Sequence, residues 1–276
     1  MSTYKELLQT ARIYLKEHEI ADANVDAWYL LTHVFHISRA EFFLHGEDTV
    51  SVEDEKQYNR LLELRAKHIP LQYITGSQEF MGLEFDVTED VLIPRQDTEI
   101  LVEQVLKICD KKSVLDMCTG SGCIIISLAK LGGISRAVGS DISEKALNVA
   151  TMNAKKHMVN IEFIQSDLFD KVNGTYDIVV SNPPYIPTEV IKGLMPEVKD
   201  HEPYAALDGS NDGLLFYRRI TKEAKEYLNK DGFIFFEIGY NQGREVQEIL
   251  QKEGFTDVKV TKDLSGLDRV VSGKRV

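Results

Sequence analysis

Apolar residues in the first 70 positions recur at helical spacing. Tyr4, Leu7, Leu8, Ala11, Tyr14 and Leu15 form one stripe behind the capping-box pair Thr3 and Glu6. Val25, Trp28, Leu31 and Phe35 mark a second helix over 25–36. Ser38 and Glu41 repeat the capping-box pattern, and Gly46 can end that short helix. A further helix over 52–68 stops before Pro70. These stripes read as core, so residues 1–75 are expected to form a small helical bundle. From Gln78 to Val87, QEFMGLEFDV predicts two short strands around Met81-Gly82, a β-hairpin linker within 76–95. A helix then starts at about Asp97. From Ser113 onward strands (113–117, 136–141, 161–166, 176–181, 233–238) alternate with helices (122–131, 143–157, 212–229, 241–253). The chain closes on FTDVKVT and DRVVSG, two strands without a clear helix between them. Alternating βα units imply an α/β domain over 96–276 built on a doubly wound, mostly parallel sheet. Ligands in such sheets sit beyond the carboxyl ends of the strands, at the switch point.

Composition narrows the function classes. Of the 276 residues 43% are apolar and 28% charged, which is ordinary for a globular protein with a real core. No apolar run approaches the roughly 20 residues that span a bilayer, and the N-terminal stretch lacks a signal peptide's apolar centre; a cytoplasmic protein is expected. The three cysteines, Cys109, Cys118 and Cys123, make no C-x-x-C pair, and the seven histidines no metal-binding motif, so neither a disulfide framework nor a metal site is expected. Net charge is −12, with lysines and arginines scattered. A chain that grips nucleic acid by its phosphates usually shows a basic face. The balance favours a small-molecule or protein partner, without stable nucleic-acid binding.

Two loops carry candidate chemistry. VLDMCTGSGCIIISLAK is a strand, a glycine-containing turn and a helix; Cys118, Thr119, Gly120, Ser121 and Gly122 form the turn, where the backbone can approach a ligand. Alone, this loop is equally a structural turn: it lacks the full G-x-G-x-x-G, and it is no P-loop. Asp141 closes the next strand, 21 residues after Gly120, where an acid takes ribose hydroxyls in Rossmann-type folds. Asp167-Leu168-Phe169 follows the third strand, placed to meet an adenine ring by hydrogen bond and apolar contact. Asp116, the loop, Asp141 and Asp167 in this order are a stronger signal than any one of them, each of which alone reads also as a cap or turn.

The second loop is VVSNPPYIP, a stiff turn after a buried strand. A planar amide or aryl amine has a delocalised nitrogen lone pair, and an ordinary general base is ill-matched to so weak an acid. Two acceptors that take both N–H hydrogens can instead fix the nitrogen. The Asn182 side-chain oxygen can be one and the Pro183 backbone carbonyl the other, held rigid by Pro183 and Pro184. Tyr185 can lay its ring over the flat amide. Most of the catalysis would then come from orientation.

With these motifs the chain resembles the S-adenosylmethionine-dependent methyltransferases that carry N-P-P-Y after the fourth strand, and within them the release factor glutamine methyltransferases. The resemblance spans nearly the whole chain: helical N-terminal domain, hairpin, IPRQDTE, DMCTGSG, SDLF and SNPPYIP. It implies a Rossmann-like seven-stranded methyltransferase domain beside a helical substrate-recognition domain. S-adenosylmethionine would lie on Cys118–Gly122, Asp141, Leu168 and Asn182, with Asn182–Tyr185 catalytic. The implied substrate is the glutamine of the Gly-Gly-Gln motif in class-1 peptide chain release factors, and the implied protein is a monomer. Two positions depart from the family pattern. Cys118 stands at the loop's first glycine, where a positive φ would strain it. Gln96 replaces the second proline of P-R-P-D-T-E, while Arg95, Asp97, Thr98 and Glu99 are kept, either lining the substrate side or capping the helix. N-P-P-Y alone also fits a ribosomal-protein glutamine methyltransferase or an adenine amino-group methyltransferase on DNA or RNA. A nonenzymatic S-adenosylmethionine-binding regulator would not need that loop, and a nicotinamide dehydrogenase leaves it unexplained. The long segment from Ile186 to Asn211 reads as a lid or as a solvated connection.

Overall fold

A computed structural model describes residues Ser2–Val276. The chain forms two compact units. One is Met1–Gly76 with Met195–His201; the other is Ser77–Leu194 with Glu202–Val276. Among the described residues no helix is long and apolar enough to cross a membrane.

The helical unit contains α1 (Tyr4–Glu17), α2 (Ala23–Phe35), α3 (Arg39–His45), α4 (Val52–Arg65) and α5 (Leu71–Thr75). Both capping boxes form. Glu6 N–H donates to Thr3 Oγ1 (3.2 Å) while Thr3 N–H donates to Glu6 Oε2 (2.9 Å), and Ser38 and Glu41 do the same at α3. The helix expected over 52–68 ends three residues early, and His68 turns left-handed with φ 61°. The stripe expected on α2 is rotated. Ala27, Leu30, Leu31 and Val34 face the core, whereas Val25 is 50% exposed. Apolar residues lie on more than one side of this helix, so periodicity could not choose the face. Ala27 does, because its small side chain admits Tyr58, whose hydroxyl donates to the Ala27 carbonyl at 2.9 Å. Buried at the edge of this unit, Arg65 donates through Nε to Asp26 (2.7 Å) and through Nη2 to Glu197 (2.8 Å).

The second unit opens with β1 (Ser77–Phe80) and β2 (Leu83–Asp86), the expected hairpin around Met81-Gly82. It packs into this unit: Phe80 and Phe85 join Leu101, Val102 and Ile124 in one core cluster. The elements that follow are α6 (Gln96–Leu106), β3 (Ser113–Met117), α7 (Cys123–Leu131), β4 (Arg136–Asp141), α8 (Glu144–Lys156), β5 (Glu162–Gln165) and β6 (Tyr176–Ser181). After them come the short turns α9 (Thr188–Ile191), α10 (Pro196–Lys199), which belongs to the helical unit, and α11 (Tyr204–Leu207), then α12 (Leu215–Tyr227), β7 (Leu228–Glu237), α13 (Gly243–Lys252), β8 (Thr256–Lys262) and β9 (Asp268–Lys274). The sheet order is β5-β4-β3-β6-β7-β9-β8, with β9 antiparallel to both neighbours and the rest parallel. Val, Ile and Leu fill β3 and β6 because helices cover both faces. The chain leaves β3 toward β4 and β5, then returns to β6 on the other side. The switch point therefore lies between β3 and β6, and the crevice for a ligand opens at their carboxyl ends.

Candidate active site

The turn after β3 is held from below. Thr119 donates through Oγ1 to Asp116 Oδ2 at 2.6 Å, and its N–H donates to the Ser140 carbonyl at 3.0 Å. Cys118 does adopt the positive φ expected of a glycine, 61°. Burial pushes its thiol far up, with Asp141 and Asp116 adding to the shift, so it is a small tolerated side chain and no reactive thiolate. At Gly120 (φ 54°) the place a Cβ would take is open space, so the backbone presents a bare face. Asp141 Oδ2 accepts from Gly120 N–H and Oδ1 from Ser143 N–H, each at 2.9 Å. Burial raises its pKa, and these backbone donors pull against that rise. Asp116 is fully buried below the turn; its Oδ1 has no partner, and burial pushes its pKa up to about 7.

A cavity of about 330 Å³ opens above this turn. Cys118, Thr119, Gly120, Ser121, Asp141, Leu168, Asn182 and Pro184 all line it; Gly122, Pro183 and Tyr185 do not. Asp167 also lines it and pairs with Arg219 at 3.0 Å. Phe169 does not meet a ligand as expected. Leu168 turns left-handed (φ 49°), which drives Phe169 into the core, where it stacks on Tyr227 at 4.5 Å.

The second loop leaves β6 tightly tied. Ser181 Oγ donates to the Met117 carbonyl (2.6 Å), Asn182 Nδ2 donates to Thr98 Oγ1 (3.3 Å), and Tyr185 donates through its hydroxyl to Glu237 Oε1 (3.3 Å). Gln242 Nε2 donates to the Tyr185 carbonyl at 3.0 Å while Gln242 Oε1 accepts from Gly239 N–H at 2.9 Å. Gly213, with φ 72°, passes so close to the Tyr185 carbonyl that any Cβ would collide with it. Burial and the neighbouring Glu237 push the Tyr185 phenol far up, so it stays protonated. Within 186–211, Ile186 N–H donates to the Leu207 carbonyl and Gly209 N–H to the Ile186 carbonyl, and Pro203, Ala205 and Ala206 line the cavity.

The IPRQDTE residues divide between tasks. Arg95 lines the cavity and donates through Nη2 to both carboxylate oxygens of buried Glu202 (2.6 and 2.7 Å). Asp97 pairs with Arg269 at 3.0 Å, and Glu99 Oε1 accepts from Met81 N–H at 2.6 Å, pinning the hairpin turn. None of them caps α6 through its side chain; Arg95 is the N-cap residue and makes no such bond. Sequence reasoning missed Glu237, Gln242 and Asn153. Asn153 accepts from Asp86 N–H and donates to the Asp86 and Ser121 carbonyls, joining hairpin to cofactor turn. The only sequence signal for Glu237 was an acid closing an apolar strand.

These residues fit a nucleoside cofactor with a charged tail. The open face at Gly120 would admit it, Asp141 keeps lone pairs that two hydroxyls could use, and Leu168 would give an apolar wall to a base. A seven-stranded sheet with β9 inserted antiparallel, a glycine turn, a strand-end acid and N-P-P-Y define an S-adenosylmethionine-dependent methyltransferase. Comparisons with known proteins agree. Family models match twice, the PrmC N-terminal domain over residues 6–76 and the methyltransferase small domain over 95–194. A release factor glutamine methyltransferase of Geobacter sulfurreducens is 40% identical over 99% of this chain and 96% of its own length. A solved methyltransferase of Pyrococcus furiosus superposes with a TM-score of 0.56 at 17% identity, covering 79% of this chain and 98% of its own. A 16S rRNA methyltransferase of T. thermophilus, solved with AdoMet and guanosine, gives 0.52 at 15% identity, over 72% and 50%. The chain belongs to the release factor glutamine methyltransferase family.

Proposed function

We propose that this chain methylates the side-chain amide nitrogen of the glutamine in the Gly-Gly-Gln motif of class-1 peptide chain release factors. The products are N(5)-methylglutamine and S-adenosylhomocysteine. The observation that carries this reading is one cavity walled by the glycine turn, Asp141 and the Asn182–Pro184 edge of the N-P-P-Y loop. S-adenosylmethionine supplies a methyl group on a positive sulfur that leaves as a neutral thioether. Asn182 Oδ1 and the Pro183 carbonyl would each accept one hydrogen of the substrate amide. That fixes the amide plane and turns its nitrogen toward the methyl carbon. Asn182 Oδ1 or the Pro183 carbonyl, already in contact with the amide hydrogens, would take the surplus nitrogen proton as the methyl group passes to nitrogen and the sulfur keeps the C–S electron pair. Prolines on both sides of the carbonyl keep this pair of acceptors preorganised. The Tyr185 ring would cover the amide face.

The helical unit would grip the release factor. Val25, Tyr29 and Phe43 are exposed there and line one groove together with Arg39. We further take the enzyme to act as a monomer in the cytoplasm, where release factors work. An adenine methyltransferase would use the same two acceptors, but a net charge of −12 opposes a phosphate backbone. Mass spectrometry of a release factor's Gly-Gly-Gln peptide, after incubation with this protein and S-adenosylmethionine, tests the assignment. One added methyl on glutamine that disappears with Asn182→Ala is the expected result. No methylation while the cofactor still binds overturns the substrate.

A further inference from the structure

We infer that Gln242 is a positioning residue that holds the outer end of the Asn182–Tyr185 loop, and through it the Pro183 carbonyl, where a substrate amide needs an acceptor. The inference rests on the proposed amide methylation.

The two ends of the loop are held by different means. At the inner end Asn182 follows directly on β6, where Ser181 Oγ donates to the Met117 carbonyl at 2.6 Å. Pro183 and Pro184 have no N–H, so the loop has no backbone donor of its own between Asn182 and Tyr185. At the outer end the Tyr185 carbonyl accepts from a side chain, Gln242 Nε2, at 3.0 Å. Beyond it, Ile186 N–H donates to the Leu207 carbonyl (3.0 Å) and the Ile186 carbonyl accepts from Gly209 N–H (2.9 Å). A Cβ on Gly209 would lie 2.8 Å from Tyr185 Cα and 2.9 Å from the Pro184 carbonyl oxygen, so the chain behind the loop approaches to backbone distance.

Gln242 is buried, and its amide joins three segments of main chain. Nε2 donates to Tyr185 and also to the Gly213 carbonyl just before α12, at 3.3 Å. Oε1 accepts from Gly239 N–H in the turn between β7 and α13, at 2.9 Å. A backbone N–H only donates and a backbone carbonyl only accepts, so the amide has one workable orientation. The Tyr217 hydroxyl lies 3.4 Å from Oε1 but donates to the Glu237 carbonyl at 2.9 Å. The turn that carries Gly239 and Gln242 leaves β7, the strand paired with β6. Gln242 therefore refers the Tyr185 carbonyl to the same rigid sheet that carries Asn182. Only Pro184 lies between Pro183 and Tyr185, and its φ is locked, so a shift of the Tyr185 carbonyl is passed back to the Pro183 carbonyl. Both ends of the loop must be fixed for the two acceptors to keep their spacing.

Gln242→Met keeps the length of the side chain and removes both donors. Steady-state methylation of a release factor should show kcat about 100-fold lower, the size of a roughly 1 Å misplacement. Neither Gln242 nor Tyr185 lines the cavity, so S-adenosylmethionine Kd and KM for the release factor should move less than about twofold. Gln242→Asn keeps the amide but is one methylene short of spanning from Gly239 to Tyr185. It should lose kcat to about the same extent, which decides the matter even if Gln242→Met folds poorly. Tyr217→Phe is the control for packing: it takes a hydroxyl from the same buried cluster and leaves the Nε2 bonds in place. It should lower Tm and keep kcat within about twofold of wild type. Hydrogen exchange at Ile186 N–H reads the loop without turnover, and should be about tenfold faster in both Gln242 variants than in Tyr217→Phe. Both Gln242 variants within about threefold of wild-type kcat, or a Tyr217→Phe enzyme as slow as they are, would overturn the positioning role. Absence of wild-type turnover would overturn the substrate reading alone, and unchanged Ile186 exchange would then overturn the role of Gln242 as well.

Discussion

Asp116 makes a sharp prediction about stability. It is fully buried beneath the cofactor turn, with Oδ2 bonded to Thr119 and Oδ1 without a partner, and burial raises its pKa from 3.8 to about 7. The folded protein therefore holds this proton more tightly than the unfolded chain does. Its sign is opposite to that of a salt-bridged carboxylate. Asp116 costs nothing below the unfolded pKa of 3.8; the cost grows as pH rises and is complete above about 7. Spread over the full shift this is roughly 4 kcal/mol, of which about 2 kcal/mol falls between about pH 5.5 and 8. Asp116→Asn keeps the shape and the Thr119 contact but cannot ionise. Its new NH2 has no acceptor, which lowers stability at every pH and leaves the slope unaffected. Urea unfolding of both proteins at the two pH values isolates the effect, since every other titrating group cancels in the double difference. The wild type should lose about 2 kcal/mol more than the variant on going to the higher pH. Equal slopes would refute the claim that Asp116 is ionised at a cost in the folded protein. The unfilled Oδ1 would then have to be satisfied in solution.

Two further outcomes follow from other parts of the fold. Gln96 is exposed at the first position of α6, and Arg95 before it is already extended (φ −103°, ψ 145°), the conformation a following proline demands. Gln96→Pro should raise stability by about 0.4–1 kcal/mol through loss of unfolded-state entropy, seen as a higher Tm; a lower Tm would mean that the N–H of Gln96 is used. Phe43→Asp places a charge in the exposed apolar patch of the helical unit, so KM for a release factor should rise about tenfold with cofactor Kd unchanged. An unaltered KM would move the gripping surface elsewhere.

The parts of this molecule readable from the chain were those whose physics is local. Capping boxes at Thr3 and Ser38, the hairpin at Met81-Gly82, the βα alternation and the positive φ at Cys118 each depend on residues within a few positions of one another. The stiff Asn182–Tyr185 loop and the strand-end Asp141 were legible because their chemistry is written in consecutive residues or in a fixed offset. What was not legible needed the third dimension. The buried face of α2 was decided by Tyr58, 31 residues from its bonding partner Ala27. Phe169, expected to meet a ligand, packs into the core after the left-handed Leu168. Thr98 lies 84 residues from its partner Asn182 and Glu237 lies 52 from its partner Tyr185, and these pairs meet only because β7 lies beside β6 and the fold brings the first turn of α6 to Asn182.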